Sequence, residues 1–418
     1  MEETFGQALR RLRGSRSLRA VAQLAHCSKS YVWDLETARK QPTREIAAAL
    51  DSALNAGGEL SAFTADSRDR DPKRHESWSS QRANNETQRY SITLPSHGVE
   101  SLLEAATTGN PTPSTLLALR TSIEDYWLRD DQYGGETLRP AIAGHLRYVL
   151  GLLESARTDD IRSGLYAVAA ELFRLTGWTH FDARQYSQAE VHFTHALQLA
   201  KEIDDAQFIS NVLACMSLQA TYQGLPFDAL ALAAAARDHA RPHGTPRVMA
   251  MLSMREAFAH AAIGDRTATH GTISQAHRHF EKASDTDSDP AWVAYFNESK
   301  LVVDTGIAHS QLGESKSAER LISQGLNHEN DNNHRGRAFH TFWLARTQLQ
   351  RGELEQACRT ATAALEPASV VASERVAGHL KEFRGQLAPF RHRAPVAVTF
   401  EARLREALPA RVSEWPHP

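Results

Sequence analysis

One pattern constrains this chain more than any other: a frame of small and bulky residues that returns five times between Gly177 and Ala364. Gly177, Tyr186, Ala189, Phe193 and Ala196 set it. Ser217, Gly224, Ala229 and Ala236 repeat it, followed by Ala257, Gly264, Ile273 and Ala276. Gly306, Gly313, Ala318 and Gly325 continue it, and Ala345, Gly352, Ala357 and Ala364 complete it. The frame advances by 40, 40, 49 and 39 residues. Small residues at fixed places on two successive helices let the backbones approach, and the bulkier ones wedge between one pair and the next. A helix pair cannot bury its apolar face alone, so the pattern predicts about five stacked pairs in a right-handed α-solenoid. Glycine occupies the turn within four of the pairs, and Arg184-Gln185 stands there in the first.

The rest of the chain is also helical in pattern. Ala, Leu, Arg and Glu recur at spacings of three and four, and Val and Ile seldom alternate with polar residues, so the predicted fold class is all-α. Before the repeats, Val99 to Ala106, Ser114 to Arg129 and Leu138 to Ser155 read as amphipathic helices, separated by GNPTP and DDQYGG breaks. After them, Arg375 to Leu387 and Thr399 to Leu408 read as terminal capping helices. Asp66 to His97 is polar, charged and poor in aliphatics, so it cannot bury enough surface to order itself. The predicted organisation is a head over 1–63, a polar linker over 64–97, a helical lead-in over 98–160 and the solenoid over 161–418.

The head is built around Ser17 to Thr43. Ser17 caps a short helix with Leu18, Val21, Ala22 and Ala25 on one face. His26-Cys27 turns the chain, Ser28 caps a second helix that sends Val32 and Leu35 inward, and Pro42 forbids its continuation. Two short helices so closely joined leave room only for a helix-turn-helix corner. Thr4 to Arg13 precedes it with Phe5, Leu9 and Leu12 on one face, and Arg44 to Asn55 follows with Ile46, Ala47, Leu50 and Leu54 inward. A short segment near Leu60 makes a fifth helix.

Charge is divided unevenly. Residues 1–44 hold nine Arg/Lys and four Asp/Glu, a net of +5, and the whole chain is −3, leaving −8 on the remainder. A basic head on an acidic body fits a DNA-binding module joined to a domain with another task. Cys27, Cys215 and Cys358 are scattered, with no CxxC, which predicts neither a disulfide framework nor a zinc site. No run of 18 apolar residues and no apolar leader is present, so a soluble cytoplasmic protein is expected, with no membrane partner.

The head closely resembles the Cro/cI-type (XRE family) DNA-binding domain over residues 5–62. The resemblance rests on Leu9 and Leu12, S-L-R-x-x-A at 17–22, S-K-S-Y-V-x-D-L-E at 28–36, R-K-Q-P-T at 39–43 and A-A-A-L-D-S-A-L at 47–54. It implies that Glu36 pairs with an arginine of the first helix, here taken as Arg11. His26 and Ala38 replace the family's turn glycines, and either strains the backbone where φ must be positive. The repeats resemble tetratricopeptide repeats. Head, linker and solenoid together are similar to bacterial helix-turn-helix/tetratricopeptide regulators, including the peptide-responsive quorum-sensing group, in which the concave face binds a short peptide.

By that resemblance Lys29, Ser30 and Asp34 face base edges. Lys29 suits guanine O6/N7 and Asp34 suits cytosine N4, with Trp33 flanking them against a sugar or a thymine methyl. Ser17, Arg19, Ser28, Tyr31, Arg39 and Lys40 are the expected backbone contacts. Carrying the repeat frame along the body places Glu171, Arg174, Trp178, Asn211, Tyr222, Met254, Phe258, Lys300, Gln311, Phe342 and Arg346 on the inner wall as a ligand groove, although packing between hairpins explains the aromatics equally well. His192-x-x-His195 with His180 has metal-like spacing but no carboxylate or cysteine to complete it, so no metal and no cofactor are predicted. The chain has no GxSxG, HExxH, P-loop or GxGxxG, and no strand to carry one, so no enzyme is expected. The expected function is a transcriptional regulator that binds a palindromic double-stranded operator as a homodimer. The competing expectation is a protein-interaction scaffold, or an antagonist of another regulator, with auxiliary DNA binding.

Overall fold

A computed structural model describes residues 3–14, 16–25, 27, 29–64, 102, 104–284, 288–390 and 394–408, with Gln23, Ser30, Arg44 and Glu45 described by backbone alone. Among these residues every regular element is a helix. The chain divides into two compact units, Met1–Ile92 and Thr93–Pro418. The polar stretch over 64–97 lies outside the described residues except for Thr64, as do His26 and Ser28.

The first unit holds α1 (Phe5–Arg13), α2 (Leu18–Leu24), α3 (Lys29–Glu36), α4 (Arg44–Leu54) and α5 (Glu59–Ala62). Local chemistry sets the helix starts. Thr4 and Gln7 form a reciprocal capping box on α1, Ser17 Oγ accepts from the Ala20 amide at 3.1 Å, and Thr43 Oγ1 accepts from the Ile46 amide at 3.3 Å. The Asp51 carboxylate accepts from the amides of Gly58, Leu60 and Ser61, which ties α5 to α4. Leu9, Val21, Val32, Leu35, Leu50 and Leu60 make a closed apolar centre. Gly6 lets α1 reach the end of α3: a Cβ there would lie 2.5 Å from the Leu35 carbonyl oxygen.

In the second unit, helical residues at 102 and 104–108 precede α6 (Pro113–Tyr133) and α7 (Arg139–Ser155). The α6 helix runs longer than the predicted Ser114 to Arg129, because Thr112 caps it and nothing breaks it before Gly134. Five helix pairs follow: α8 (Asp159–Asp182) with α9 (Tyr186–Glu202), α10 (Ala206–Tyr222) with α11 (Pro226–Ala240), and α12 (Pro246–Ile263) with α13 (Arg266–Phe280). The last two are α14 (Glu298–Gln311) with α15 (Ser315–Leu326) and α16 (His334–Gln350) with α17 (Leu354–Ala363). A short α18 (Leu365–Val370), α19 (Glu374–Gln386) and α20 (Pro395–Ala407) end the described chain.

The repeat frame acts as its spacing implied. Ala189, Ala229, Ala257, Ala318, Ala345 and Ala357 have no exposed surface, so helix backbones meet at these residues. A Cβ on Gly177 would lie 2.6 Å from the Phe193 ring, and one on Gly306 would lie 2.7 Å from the Ile322 side chain and 3.0 Å from its backbone nitrogen. Ser217 uses its hydroxyl the same way, donating to the Ala229 carbonyl at 2.7 Å. The turn glycines Gly224, Gly264, Gly313 and Gly352 all adopt φ between 73° and 85°, and Arg184 takes φ 58° at the matching place in the first pair. A left-handed residue is what the turn requires, and the first repeat meets it at a cost of about 1 kcal/mol. The long 49-residue step falls in the connection from Phe280 to Glu298, where Val293 and Phe296 are buried and Asp289 holds Arg247 of α12 at 2.6 Å.

The body's two ends meet. Arg335 at the start of α16 donates to Asp130 and Asp131 at the end of α6, 205 residues away for Asp130. Arg375 of α19 donates to Asp182 at the end of α8 at 3.0 Å, and the Ala372 amide donates to the Tyr133 carbonyl at 2.8 Å.

Candidate functional site

In the head, α3 is held from behind and open in front. Val32 is fully buried and Leu35 is 1 % exposed, so the helix cannot rotate without opening the core. Their faces leave Lys29 exposed and Trp33 41 % exposed. Trp33 is therefore not a core residue. The Arg39 guanidinium lies 4.4 Å from the centre of the Trp33 ring, and the Lys40 ammonium lies 5.3 Å from that of Tyr31. Lys40 also approaches Asp34 at 3.4 Å. Two cations after α3 are thus parked on aromatic and acidic side chains of α3 itself. Ser17 and Arg19 are exposed at the start of α2, with the Ser17 oxygen engaged as a cap. Ser30 lies in the first turn of α3.

Glu36 pairs with the first helix through Arg13, not Arg11. Arg13 Nε reaches Glu36 Oε1 at 2.5 Å and Nη2 reaches Oε2 at 3.1 Å, in a two-pronged contact whose side chains are only 18 % and 6 % exposed. Residues two apart on a helix point to opposite sides, so Arg11 faces away and binds Glu3 at 2.9 Å and Glu59 instead. The chain leaves α3 through a Schellman turn: the Ala38 amide donates to the Leu35 carbonyl and the Arg39 amide to the Asp34 carbonyl. Ala38 sits at its left-handed position with φ 56°, where glycine is usual.

In the body, the eleven residues expected on an inner wall separate into three groups. Met254, Phe258 and Phe342 are core residues, 0 %, 6 % and 2 % exposed, and do not line a groove. Met254 and Phe258 pack with Ile273, Ala276 and Ile307, and Phe342 stacks edge-on with Phe383 at 5.6 Å. One helical turn separates Met254 from Phe258, so the same stripe that buries one buries the other. Trp178 and Tyr222 form a second group at the closure. Trp178 Nε1 donates to Asp130 at 3.1 Å, and Arg375 lies over both rings at 5.1 and 5.6 Å. Tyr222 contacts His379 at 3.4 Å, and burial pushes its phenol up to about 12.

The third group keeps polar atoms inside. Glu171 accepts from Arg174 at 3.2 Å, while Arg174 Nε and the Asn211 amide nitrogen are buried without a hydrogen-bond partner. Lys300 pairs with Asp304 at 2.5 Å, and Arg346 stacks on Trp343 at 4.8 Å. Gln311 leaves its buried side-chain oxygen without a partner. Sequence reasoning missed Arg255, Tyr295, Asp130, Asp182, Arg335 and Arg375. Arg255-Glu256 was visible as a charged pair inside the otherwise apolar run MAMLSMREAFAHAA, the one local sign available.

His180 and His192 stack flat at 5.2 Å, and the His180 Nδ1 meets Gln185 rather than a metal-like partner. Burial pushes His192 down to about 4. His270, His309 and Glu314 bring ligating atoms within 4.8 Å of one another, but Glu314 already bonds both imidazoles and pairs with Arg266. The guanidinium supplies the positive charge there, so the cluster reads as an ion-pair network.

No described helix is long and apolar enough to cross a membrane. Compared with known proteins, the chain matches none of the curated ones. A protein-family profile described as a helix-turn-helix domain matches residues 4–63, the stretch that holds α1 to α5. The chain therefore carries an N-terminal helix-turn-helix domain, a module for DNA binding, ahead of a body of stacked helix pairs.

Proposed function

We propose that this protein is a sequence-specific transcriptional regulator of the Cro/cI type. It binds a palindromic operator as a homodimer, and its repeat body, of tetratricopeptide character, supplies the dimer contact and a ligand- or peptide-sensing interior. The observation that carries the reading is the face of α3: Val32 and Leu35 lock it to the core while Lys29 and Trp33 stay exposed beside Arg39 and Lys40. Lys29 reads guanine at the open end of the helix. Asp34, held by Lys40, either accepts from cytosine or positions that lysine on phosphate. A single head buries too little surface for tight specific binding, and two half-sites about one helical turn apart solve this. Ligand occupancy of the body would then change the freedom of the two heads.

Selection of bound sequences from a random duplex pool with the full chain tests the reading. A two-fold-related motif should emerge, and Lys29→Ala with Asp34→Ala should weaken it about 10- to 1000-fold while sparing non-specific binding. Recovery of the same motif by the double variant would overturn the assigned readout. Arg39→Ala should weaken all duplexes alike and flatten the salt dependence by about one unit of slope.

A further inference from the structure

Three buried donors in the body's interior have nothing to bind. Arg255, in the middle of α12, is 8 % exposed; Nη2 donates to the Tyr295 hydroxyl at 3.2 Å and Nε has no partner. It forms no ion pair among the described residues; Asp304, whose charge it feels, gives Oδ1 to Lys300 and keeps a buried Oδ2 without a hydrogen-bond partner. Arg174, on α8, is 6 % exposed, spends one nitrogen on Glu171 and leaves Nε unpartnered between the Trp127 and Phe208 rings, 4.4 and 5.7 Å from its guanidinium carbon.

Asn211 lies between the two arginines. Phe208, Asn211 and Cys215 share one stripe of α10, spaced three and four residues apart. Phe208 meets Arg174 at one end, and Cys215 is within electrostatic reach of Arg255 at the other. Asn211 itself is 4 % exposed with its amide nitrogen unpartnered. The long insertion before α14 then delivers Tyr295, which accepts from Arg255 and lies within electrostatic reach of Arg174. Tyr295 is 44 % exposed, so the hydroxyl that holds Arg255 stays open to an incoming ligand.

A buried guanidinium whose Nε has no acceptor costs stability, and a chain selected for packing alone would place Met or Leu there. A carboxylate offers about four acceptor positions and matches a set of convergent N–H donors. We propose that Arg174, Asn211, Arg255 and Tyr295 form a carboxylate-binding site, which seats the acid group of a ligand whose apolar part lies against Trp127 and Phe208. This rests on the reading of the body as a sensor. The acid group belongs either to a small organic acid or to the C-terminus of a peptide, and the test separates the two.

The full chain and its Arg255→Met variant are melted alone and with two probe pools. One pool holds hexanoate, benzoate, 4-phenylbutyrate and indole-3-acetate, and the other holds random tetrapeptides with free C-termini; each is compared with its carboxamide counterpart. Without probes, R255M should melt about 2 °C or more above the parent, because an unpaired buried charge is gone. With probes, one acid pool should raise the parent's Tm, its amide pool should not, and R255M should respond to neither. The responding pool names the source of the carboxylate. A lower Tm for unliganded R255M, or no preference for acids over amides, overturns the proposal. DNA binding is measured in parallel by gel shift: parent protein that prefers acids but binds no duplex defeats the regulator reading alone, and the reverse result defeats this site alone.

Discussion

Replacing Arg335 by methionine should loosen the body at the point where its ends meet. Arg335 is 7 % exposed and donates to Asp130, which has no exposed surface, and to Asp131. Asp130 keeps one further contact, from Trp178 Nε1 at 3.1 Å, and its Oδ1 has none. Burial raises the Asp130 carboxyl, Arg335 pulls it back, and Asp182 and Asp131 push it up again, leaving it at about 6. Removing one partner of a buried pair strands the other, at about 3–5 kcal/mol. At about 2 °C per kcal/mol for a large domain, Tm should fall by ~6–10 °C at pH 8. The loss should depend on pH. A carboxyl raised above its unfolded value of about 3.9 favours folding below that pH, and its contribution is lost as pH rises through about 6. The stranded Asp130 is neutral at pH 5, so R335M should suffer least there and most at pH 8. Circular-dichroism melts at the two pH values check this, with the double variant Asp130→Asn, Arg335→Met recovering most of the loss. A fall below 2 °C at pH 8 (roughly 1 kcal/mol), an equal fall at both pH values, or a double variant no better than the single would refute the reasoning.

Three further outcomes are expected. Ala38→Gly should stabilise the head by about 1 kcal/mol, read as a higher urea midpoint, because it relieves a side chain at φ 56°. Arg13→Ala should destabilise the head by about 1–3 kcal/mol by leaving the buried Glu36 carboxylate unpaired, whereas Arg11→Ala should leave the thermal midpoint nearly unchanged because its partners are exposed; the difference in thermal midpoint is the measurement. Gly306→Ala should lower the body's melting temperature by the equivalent of about 1–3 kcal/mol, since the new methyl meets the Ile322 side chain and backbone nitrogen and the Ala318 carbonyl oxygen.

The helices and their pairing were legible in the sequence because they are short-range facts. A glycine or alanine at a fixed place in a helix reports a close backbone approach, and Gly224, Gly264, Gly313 and Gly352 report the left-handed turns they occupy. The first repeat was legible only in part, since Arg184 holds the same conformation without the residue that would announce it. The two faces of α3 were legible too, because Val32 and Leu35 fix its inner face and leave Lys29 and Trp33 outside.

Face assignments over longer distances were not legible. Arg11 and Arg13 are equally charged and lie in the same helix, and only the approach of α3 through Gly6 decides which of them Glu36 meets. Phe258 and Phe342 read equally well as wall or core, because apolar side chains suit both and the neighbouring hairpin decides.

What the sequence by itself determined is periodic: an all-helical chain, a basic helix-turn-helix head, and five helix pairs in a repeating frame. Tertiary structure alone decided the closure of the body by Arg335 on Asp130 and Arg375 on Asp182, and the gathering of Arg174, Asn211, Arg255 and Tyr295 in its interior. Periodicity fixes which face a residue takes relative to its near neighbours, whereas a charge buried 205 residues from its partner leaves no local trace. Its partner is set by the accumulated turn of the stack, and no single repeat contains that quantity.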